Sequence, residues 1–384
     1  MSKGRKIAII GANEFQNELI IKANKKGIET HVFAWESGDI GELTADYFYP
    51  ISITELDQLV TKCKEIGIDS VASIASDLAN IAVNYIGEKL CLPCNGISVT
   101  DITTNKFLMR RKLLENHLPV PFFCLISDLE EVDVSELSFP LIVKPIDRSG
   151  SRGITKVYDA QYLTQAILKA QKNSFIDTVL LEDYIDGREY SVEAISSDGK
   201  HQILQITEKF TTGSPNFIEI GHIAPARLLS EEKRLIFNVI YGSLNALGIK
   251  HGASHSEVKI NSKGEVFIIE IGSRMGGDFI GSYLVESNTG FDFVGAVLNI
   301  ALGKIIPLEQ EFISQSEAES SLVWYFLNYL ELERFKKDKS LKIERLIKNA
   351  DFNGKVSSSN ERMACALFKL PQLQVQTFLN KYGL

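Results

Sequence analysis

The first hundred residues alternate short apolar runs with segments that are apolar on one helical face. In chain order, the strand-like runs and the helix-like segments between them fall at 7–10, 14–26, 29–34, 54–66, 70–74 and 77–88. Strands that alternate with helices in this way predict a parallel sheet with right-handed crossovers. Residues 1–100 are therefore predicted to form an N-terminal α/β domain.

A different pattern begins near residue 101. Residues 103–105, Thr-Thr-Asn, are candidates to cap a helix that runs to His117, and prolines at 119 and 121 end it. Further strand-like and helix-like segments follow at 122–126, 139–145, 154–158, 160–172, 178–195, 201–224, 230–247 and 253–272.

The order of these segments predicts the domain organisation. Residues 101–305 are expected to form one domain. Residues 306–384 give mixed strand and helix patterns, so a small C-terminal domain of the α+β type is expected there.

The last of these segments predicts a hairpin with two opposed glutamates. Apolar residues at every second position mark its strands: Val258, Ile260, Phe267, Ile269 and Ile271. With Lys263-Gly264 as a two-residue turn, the register sets Glu257 opposite Glu270. Two carboxylates about 5 Å apart repel each other but suit a divalent cation such as Mg²⁺. A surface pair that Lys259 neutralises is the alternative.

A basic group follows this hairpin. Arg274 lies four residues past Glu270 and precedes Gly276 and Gly277. A guanidinium group there can hold a carboxylate or a phosphoryl oxygen with two hydrogen bonds, and glycines let a ligand approach the backbone. A surface salt bridge is the alternative for Arg274.

The stretch 144–154, Lys-Pro-Ile-Asp-Arg-Ser-Gly-Ser-Arg-Gly-Ile, follows an apolar strand and is rich in small residues. Its backbone N–H groups could bind phosphate, but Lys144 precedes the glycines, whereas the lysine of a P-loop follows them. Gly11, after the first strand, would suit a dinucleotide, yet the pattern G-x-G-x-x-G is absent.

Composition narrows the class of protein. The chain has 384 residues, of which 45% are hydrophobic and 23% charged, and its net charge is −8. These values predict a soluble globular protein, and the negative charge argues against nucleic acid as a partner. No apolar stretch has the length of a membrane span or of a signal peptide, and five cysteines favour a reducing compartment. A cytoplasmic protein without membrane contact is therefore expected.

Four ordered motifs resemble those of the ATP-grasp ligases. In chain order they are Lys106 near a helix start, Lys144 before a Gly/Ser loop, Glu182 and Glu189 around a turn, and Glu257 with Glu270-Ile-Gly-Ser-Arg274. One position departs from the family, which has Asn where this chain has Gly272. That departure, with His255 two residues before Glu257, makes the chain resemble bacterial L-amino-acid ligases more than carbamoyl-phosphate synthetase or biotin carboxylase.

The resemblance implies an ATP-grasp fold with a Rossmann-like parallel-sheet domain at the N-terminus, and a small ATP lid subdomain at about 120–182 within residues 101–305. It also implies roles for particular residues. The implied ATP-binding residues are Lys106, Lys144, Ser149, Gly150, Ser151, Gly153, Glu182, Tyr184, Ile185 and Glu189. The implied metal-binding residues are Glu257 and Glu270. The implied substrate-binding residues are Asp77, His255, Arg274, Gly276 and Gly277, and the implied catalytic residues are Arg274, Glu219 and His222.

The same resemblance implies a reaction. ATP would phosphorylate a small carboxylate, and an amine would attack the acyl phosphate to form an amide, with release of ADP and phosphate. ATP and one or two Mg²⁺ ions, or Mn²⁺, are the implied cofactors. Amino acids or similar small carboxylates and amines are the implied partners, a carrier protein is a further acceptor, and homodimers are common in the family.

Other functions stay open at this point. The activated carboxylate could pass to another acceptor, as in carboxylation, carbamoyl phosphate formation or carrier-protein loading. A nucleotide-binding subunit without catalysis would agree with Gly272, although both glutamates, both lysines and Arg274 are retained. An NAD-dependent oxidoreductase would rest on Gly11 alone.

Overall fold

The computed structural model describes residues 4–126, 137–148, 150, 152–309 and 318–382. Its strands are β1 (Lys6–Ile10), β2 (Glu29–Phe33), β3 (Tyr47–Tyr49), β4 (Ser70–Ala72), β5 (Phe123–Ile126), β6 (Leu141–Pro145), β7 (Thr155–Val157), β8 (Val179–Asp183), β9 (Arg188–Ser197), β10 (Lys200–Thr211), β11 (Glu219–Ala224), β12 (Gly252–Ile260), β13 (Val266–Gly272), β14 (Glu319–Phe326), β15 (Lys342–Lys348) and β16 (Ala364–Pro371). Its helices are α1 (Glu14–Lys25), α2 (Ile40–Thr44), α3 (Leu56–Ile66), α4 (Asp77–Lys89), α5 (Ile97–Thr104), α6 (Lys106–Glu115), α7 (Leu163–Asn173), α8 (Ser230–Leu247), α9 (Val285–Thr289), α10 (Phe293–Ala301), α11 (Tyr329–Lys336) and α12 (Val375–Tyr382).

The N-terminal sheet is parallel, with its strands in the order β3-β2-β1-β4. Ile7 and Ile9 of β1 pack towards α1 and α10, while Ala8 and Ile10 pack towards α3 and α4. A strand that is buried on both faces needs such a continuous apolar run, so the predicted α/β class and parallel sheet are confirmed. The sequence pattern predicts neither α2 nor β3, because five and three residues are too short to show a period.

A second sheet, which we call the lid sheet, is antiparallel with the strand order β5-β8-β6-β7. The helix α7 covers it with the apolar face that the sequence predicts: Leu163, Ala166, Ile167 and Ala170.

A third sheet, which we call the central sheet, is antiparallel with the order β13-β12-β9-β10-β11-β14-β16-β15. Strands β14 to β16, from the last part of the chain, continue this sheet through the pairing of β11 with β14. The division into three domains stays a prediction, but its boundary at 305 falls between strands of one sheet.

The hairpin of β12 and β13 sets Glu257 opposite Glu270, as predicted, but by a different route. Backbone hydrogen bonds close its loop around the three residues 262–264, so the predicted two-residue turn is wrong. The extra loop residue moves the register by one position. A bulge in β13, opposite the step from Glu257 to Val258, leaves Ile269 without a pairing partner in β12. This bulge shifts the register back by one position, so that Glu257 again lies opposite Glu270.

The bulge also changes which side chains of β13 face the core. Val266, Ile268 and Ile271 are buried in the core, whereas Phe267 and Ile269 are partly exposed. Phe267, Ile269 and Ile271 alternate in the sequence but do not share one face, because strict alternation stops at a bulge.

The helix predicted to follow the capping residues 103–105 is α6, and a separate helix that the sequence pattern does not predict, α5, comes directly before it. Asn105 lies between α5 and α6 and caps α6. Its Oδ1 accepts hydrogen bonds from the backbone N–H groups of Phe107 and Leu108, at 3.1 Å each. Lys106 is therefore the first residue of α6, and its backbone N–H donates to the carbonyl of Ile146, just after β6, at 3.0 Å.

Across the described part of the chain, no helix combines the length and the apolar character needed to cross a bilayer. The five cysteines are free thiols. The predicted cytoplasmic location stays a prediction.

We expect Gly221→Ala to destabilise the junction of β11 and β14. Gly221 pairs with Trp324, and a Cβ atom at 221 would overlap the indole ring. Overpacking of this kind costs about 1–3 kcal/mol, which urea unfolding would measure. Gly242→Ala is the control, because its Cβ would meet only a flexible leucine methyl at 3.0 Å in the middle of α8. Equal stability of the two variants would contradict the packing argument.

Candidate active site

Two cavities meet at the hairpin of β12 and β13. The smaller, about 130 Å³, lies between the lid sheet and the central sheet, and we call it the lid cavity. The larger, about 590 Å³, is bordered by the strand ends of the N-terminal sheet, the central sheet and residues 359–362, and we call it the wide cavity. Both are lined by Gly150, Lys209, Glu219, Glu257 and Glu270.

The lid cavity has apolar walls and a polar edge. Ile142 and Ile154 come from the lid side, while Phe217 and Ile269 come from the central-sheet side. A slot between apolar walls suits a planar ring. Its edge carries residues implied by the family resemblance: Glu182, Tyr184, Ile185 and Glu189.

Tyr184 connects the lid sheet to the central sheet. The ammonium group of Lys156 on β7 lies 3.3 Å from the centre of its ring, and that of Lys259 on β12 lies 5.0 Å from it. Contacts with two cations, one from each sheet, hold the aromatic ring in place at the edge of the lid cavity.

A buried ion cluster lies at the base of the lid cavity. The carboxylate of Glu182 accepts hydrogen bonds from Lys144 and, at 3.1 and 3.3 Å, from Arg110, and all three side chains are buried. Burial alone would raise the pKa of Glu182, but Lys144 and Arg110 lower it below its usual range. Burial lowers the pKa of Lys144.

Lys106 links the lid to the glutamate pair. Its ammonium group donates to the carbonyl of Arg148 at 2.7 Å and to Glu270 at 3.0 Å. Lys106 and Lys144 both line the lid cavity.

Lys209 holds three carboxylates where the two cavities meet. Its ammonium group lies 2.9 Å from Glu189, 3.1 Å from Glu219 and 2.8 Å from Glu257. Burial alone would lower the pKa of Lys209, but these carboxylates raise it well above its ordinary value. Burial alone would raise the pKa of Glu257, but Lys209 and His255 hold it well below its usual range.

The glutamate pair fits one mode of Mg²⁺ binding. No cluster of three or more potential metal-ligating side chains occurs in the described ranges. Mg²⁺ is usually held by one or two carboxylates together with substrate phosphates, so Glu257 and Glu270 supply what the protein side of such a site needs. Both carboxylates line both cavities.

Arg274 is held by Asp77 at the wide cavity. Its Nε and Nη2 donate to the two oxygens of Asp77 at 2.8 and 2.9 Å. Burial alone would lower the pKa of Arg274, but Asp77 raises it. A Cβ atom at Gly272 would lie 3.1 Å from Asp77 and 3.4 Å from Arg274, so the glycine leaves room for this pair.

A second arginine, from the C-terminal part of the chain, closes the other side of the wide cavity. Arg362 donates to both oxygens of Asp278 at 2.7 Å, and its guanidinium carbon lies 3.5 Å from the ring centre of Tyr325. His222 contacts Asp278 at 3.4 Å. Burial alone would raise the pKa of Asp278, but Arg362 and His222 lower it.

The predicted glycine and serine residues differ in position. Ser149 and Ser151 lie outside the described residues. Gly150 lines both cavities. Gly153 lines neither cavity, and a Cβ atom there would lie 2.8 Å from Asn173, so the small size of this residue permits close packing.

The two glycines after Arg274 also differ. Gly277 lines the wide cavity, whereas the N–H of Gly276 donates to Glu193 at 3.0 Å. His255 lines the wide cavity and donates to Glu193 at 2.5 Å. Burial alone would lower the pKa of His255, but Glu193 raises it to about 9.

Several residues of the site have no sequence pattern that predicts them. Lys209 and Arg110 lie in stretches that resemble ordinary charged surface, and Arg362 is more than 80 residues from Asp278 in the chain. Asp278 directly follows Gly276 and Gly277, and this position is the one feature of the sequence that indicates a place for it at the site.

The comparison with known proteins agrees with this geometry. Residues 137–282 match the ATP-grasp domain. The solved structure of an L-amino acid ligase from Bacillus licheniformis has a TM-score of 0.84 and 24% identity, and the match covers 100% of this chain and 98% of that one. A biotin carboxylase domain from Hydrogenobacter thermophilus, solved with ADP, magnesium and bicarbonate, has a TM-score of 0.77 and 18% identity over 99% of this chain and 90% of that one.

The chain therefore has the ATP-grasp fold and contains an ATP-grasp domain. The ATP-grasp enzyme fsqD of Aspergillus fumigatus is 27% identical over 241 residues, which cover 53% of this chain and 41% of that protein. This chain spans about half the length of the curated relatives that it matches, 54% in one and 41% in another.

We expect Arg110→Met to destabilise the fold by about 3 kcal/mol at pH 7, because Glu182 loses one of its buried cations. The lowered pKa of Glu182 means that this stabilisation is present above the ordinary carboxyl pKa and is lost as pH falls through the folded pKa. The difference from the wild type should therefore shrink in acid, as measured by urea unfolding. Arg111→Met, at an exposed neighbouring site, should change stability by less than about 1 kcal/mol. A pH-independent difference would contradict the assignment.

Proposed function

We propose that the protein is an ATP-dependent carboxylate–amine ligase that forms an amide through an acyl phosphate and releases ADP and phosphate. One observation carries the proposal: the lid cavity and the wide cavity share Glu257, Glu270 and Lys209. A nucleotide in the lid cavity would point its last phosphate at a carboxylate in the wide cavity. Transfer between two bound molecules needs this contact.

The chemistry requires activation of the acid. A carboxylate oxygen is a poor leaving group and phosphate is a good one, so phosphorylation prepares the carbonyl for attack. Basic groups placed around the transferring phosphoryl group would supply most of the acceleration. No side-chain nucleophile is needed.

Two lysines would bind the nucleotide phosphates. Lys144 and Lys106 line the lid cavity and bring positive charge to its floor, beside Glu182 and Glu270. Lys209 lies at the junction, where it would face the transferring phosphoryl group. Mg²⁺ bound by Glu257 and Glu270 would neutralise charge on the nucleotide phosphates.

Arg274 would hold the carboxylate and the acyl phosphate. A guanidinium group has five N–H donors. Asp77 and the carbonyl of Met275 accept three of them within the described ranges, which leaves donors for a ligand in the wide cavity. Asp77 would fix the orientation of the guanidinium group, and the backbone of Gly277 would add a contact.

The amine must lose a proton as it attacks. Two groups at the wide cavity could accept it. Glu219 is held by Lys209 and by the hydroxyl of Ser359 at 2.7 Å, so one of its oxygens faces each partner. His222 is buried, and its Nδ1 has no hydrogen-bond partner within the described residues. Amino acids or similar small acids and amines are the proposed substrates.

An ADP-release assay tests the proposal. Wild-type protein, with ATP, Mg²⁺ and amino acids singly and in pairs, should release ADP and give a product whose mass equals the two substrates less water. Glu270→Gln should lower the rate by a factor of about 100 or more, because the site would lose one of the two carboxylates that would hold Mg²⁺ against the nucleotide phosphates. Glu265→Gln, on the exposed end of the same hairpin, should leave it unchanged. Normal turnover by the Glu270 variant would contradict the site.

A second assay tests Arg274. We expect Arg274→Ala to raise the KM for the carboxylate or lower kcat by about 100-fold, with nucleotide affinity changed less than threefold. Calorimetry with ADP measures that affinity. Arg345→Ala is the control, since Arg345 also pairs with carboxylates of the N-terminal part but lies outside both cavities. An equal loss of carboxylate use and nucleotide binding would count against the role.

A further inference from the structure

Glu193 is a buried acid that touches neither cavity. It lies in the middle of β9, and its side chain has no exposed surface. A buried carboxylate is costly unless hydrogen bonds compensate for lost hydration. Glu193 receives two such bonds, one on each oxygen, and each comes from a different part of the proposed active site.

The first bond orients His255. Glu193 and His255 are direct partners in the pairing of β9 with β12, and Nδ1 of the imidazole donates to Oε1 of Glu193 at 2.5 Å. Because Nδ1 is occupied, Nε2 points away from Glu193, and it lies 3.6 Å from Oε1 of Glu257. His255 and Glu257 are two residues apart on one strand and so share a face. Glu193 thereby fixes the ring that stands beside Glu257.

The second bond holds the loop that follows β13. The N–H of Gly276 donates to Oε2 of Glu193 at 3.0 Å. A Cβ atom at 276 would overlap Glu193 and lie 2.7 Å from Nδ1 of His255. The loop can therefore lie on the Glu193–His255 pair only with glycine at this position. Arg274 and Gly277, on either side of Gly276, both line the wide cavity.

We infer that Glu193 is a positioning residue, which fixes Glu257 through His255 and fixes the Arg274–Gly277 loop through the amide of Gly276. One carboxylate thus sets the distance between a metal-binding glutamate and the loop that would hold the acyl phosphate. The inference rests on the proposed function, because it assigns the purpose of Glu193 to that site. It also gives Gly276 a different role from direct ligand contact.

Glu193→Gln tests the inference with little change of shape. A glutamine has one carbonyl oxygen, so it can accept from His255 or from Gly276 but not from both. We expect Mn²⁺ affinity in the presence of ADP, measured by electron paramagnetic resonance, to fall about tenfold or more. Glu208→Gln is the matched control, because Glu208 is a buried acid on the adjacent strand β10, bound by Arg227 and outside both cavities. It should lose stability and keep the wild-type Mn²⁺ affinity.

Gly276→Ala keeps the inference testable if Glu193→Gln fails to fold, because it disturbs the same contact from the other side. Gly276→Ala should weaken Mn²⁺ binding in the same way, whereas Gly242→Ala, in α8 and outside both cavities, should not. If Glu193→Gln does fold, it can be combined with His255→Gln. The double variant should bind Mn²⁺ about as well as His255→Gln alone if Glu193 affects Mn²⁺ affinity through the imidazole.

The outcomes separate the inference from the proposed function. Wild-type protein that fails to bind Mn²⁺ with ADP would contradict both. If the wild-type protein binds Mn²⁺ and either Glu193→Gln or Gly276→Ala binds it with the same affinity, the role of Glu193 is overturned and the proposed function is not. Reduced binding by these two variants, with unchanged binding by Glu208→Gln, would support it whether or not the amide product is found.

Discussion

The ammonium group of Lys209 holds three carboxylates that would otherwise repel one another. Glu189, Glu219 and Glu257 come from three different strands of the central sheet, and all three lie within 3.1 Å of this one nitrogen. Partly buried like charges at such separations are stabilised by a cation between them. The protein can therefore fold with several carboxylates clustered where the two cavities meet. Such a cluster suits a divalent cation that arrives with a charged nucleotide.

The same pairing of charges joins distant parts of the chain around the wide cavity. Arg274 of the central part meets Asp77 at the start of α4, and Arg362 of the C-terminal part meets Asp278. Each pair has its guanidinium group on one segment and its carboxylate on another. The site is consequently complete only when the N-terminal sheet, the central sheet and the C-terminal residues are packed together, which gives the C-terminal part a role at the site.

The β12–β13 hairpin illustrates how far a sequence pattern reaches. Period-two alternation correctly predicts that Glu257 and Glu270 oppose each other, but the assumed turn is one residue too short, and a bulge compensates for it. A bulge leaves no mark in an apolar pattern when both neighbouring residues are isoleucines, as at Ile268 and Ile269. The pattern therefore predicts the pair and misassigns the side chains beside it, including Ile269, which lines the lid cavity.

Local order in the sequence determined the parallel N-terminal sheet, the apolar face of α7, and the succession of Lys106, Lys144 and the two opposed glutamates. These features depend on the periods of strands and helices and on motifs within short stretches. Only the tertiary structure decided the partners of the charged groups. Lys209 pairs with three carboxylates, Arg110 donates to Glu182, and Glu193 accepts from the backbone of Gly276. Long charged side chains follow no period, and their partners are set by which strands become neighbours in the folded sheet.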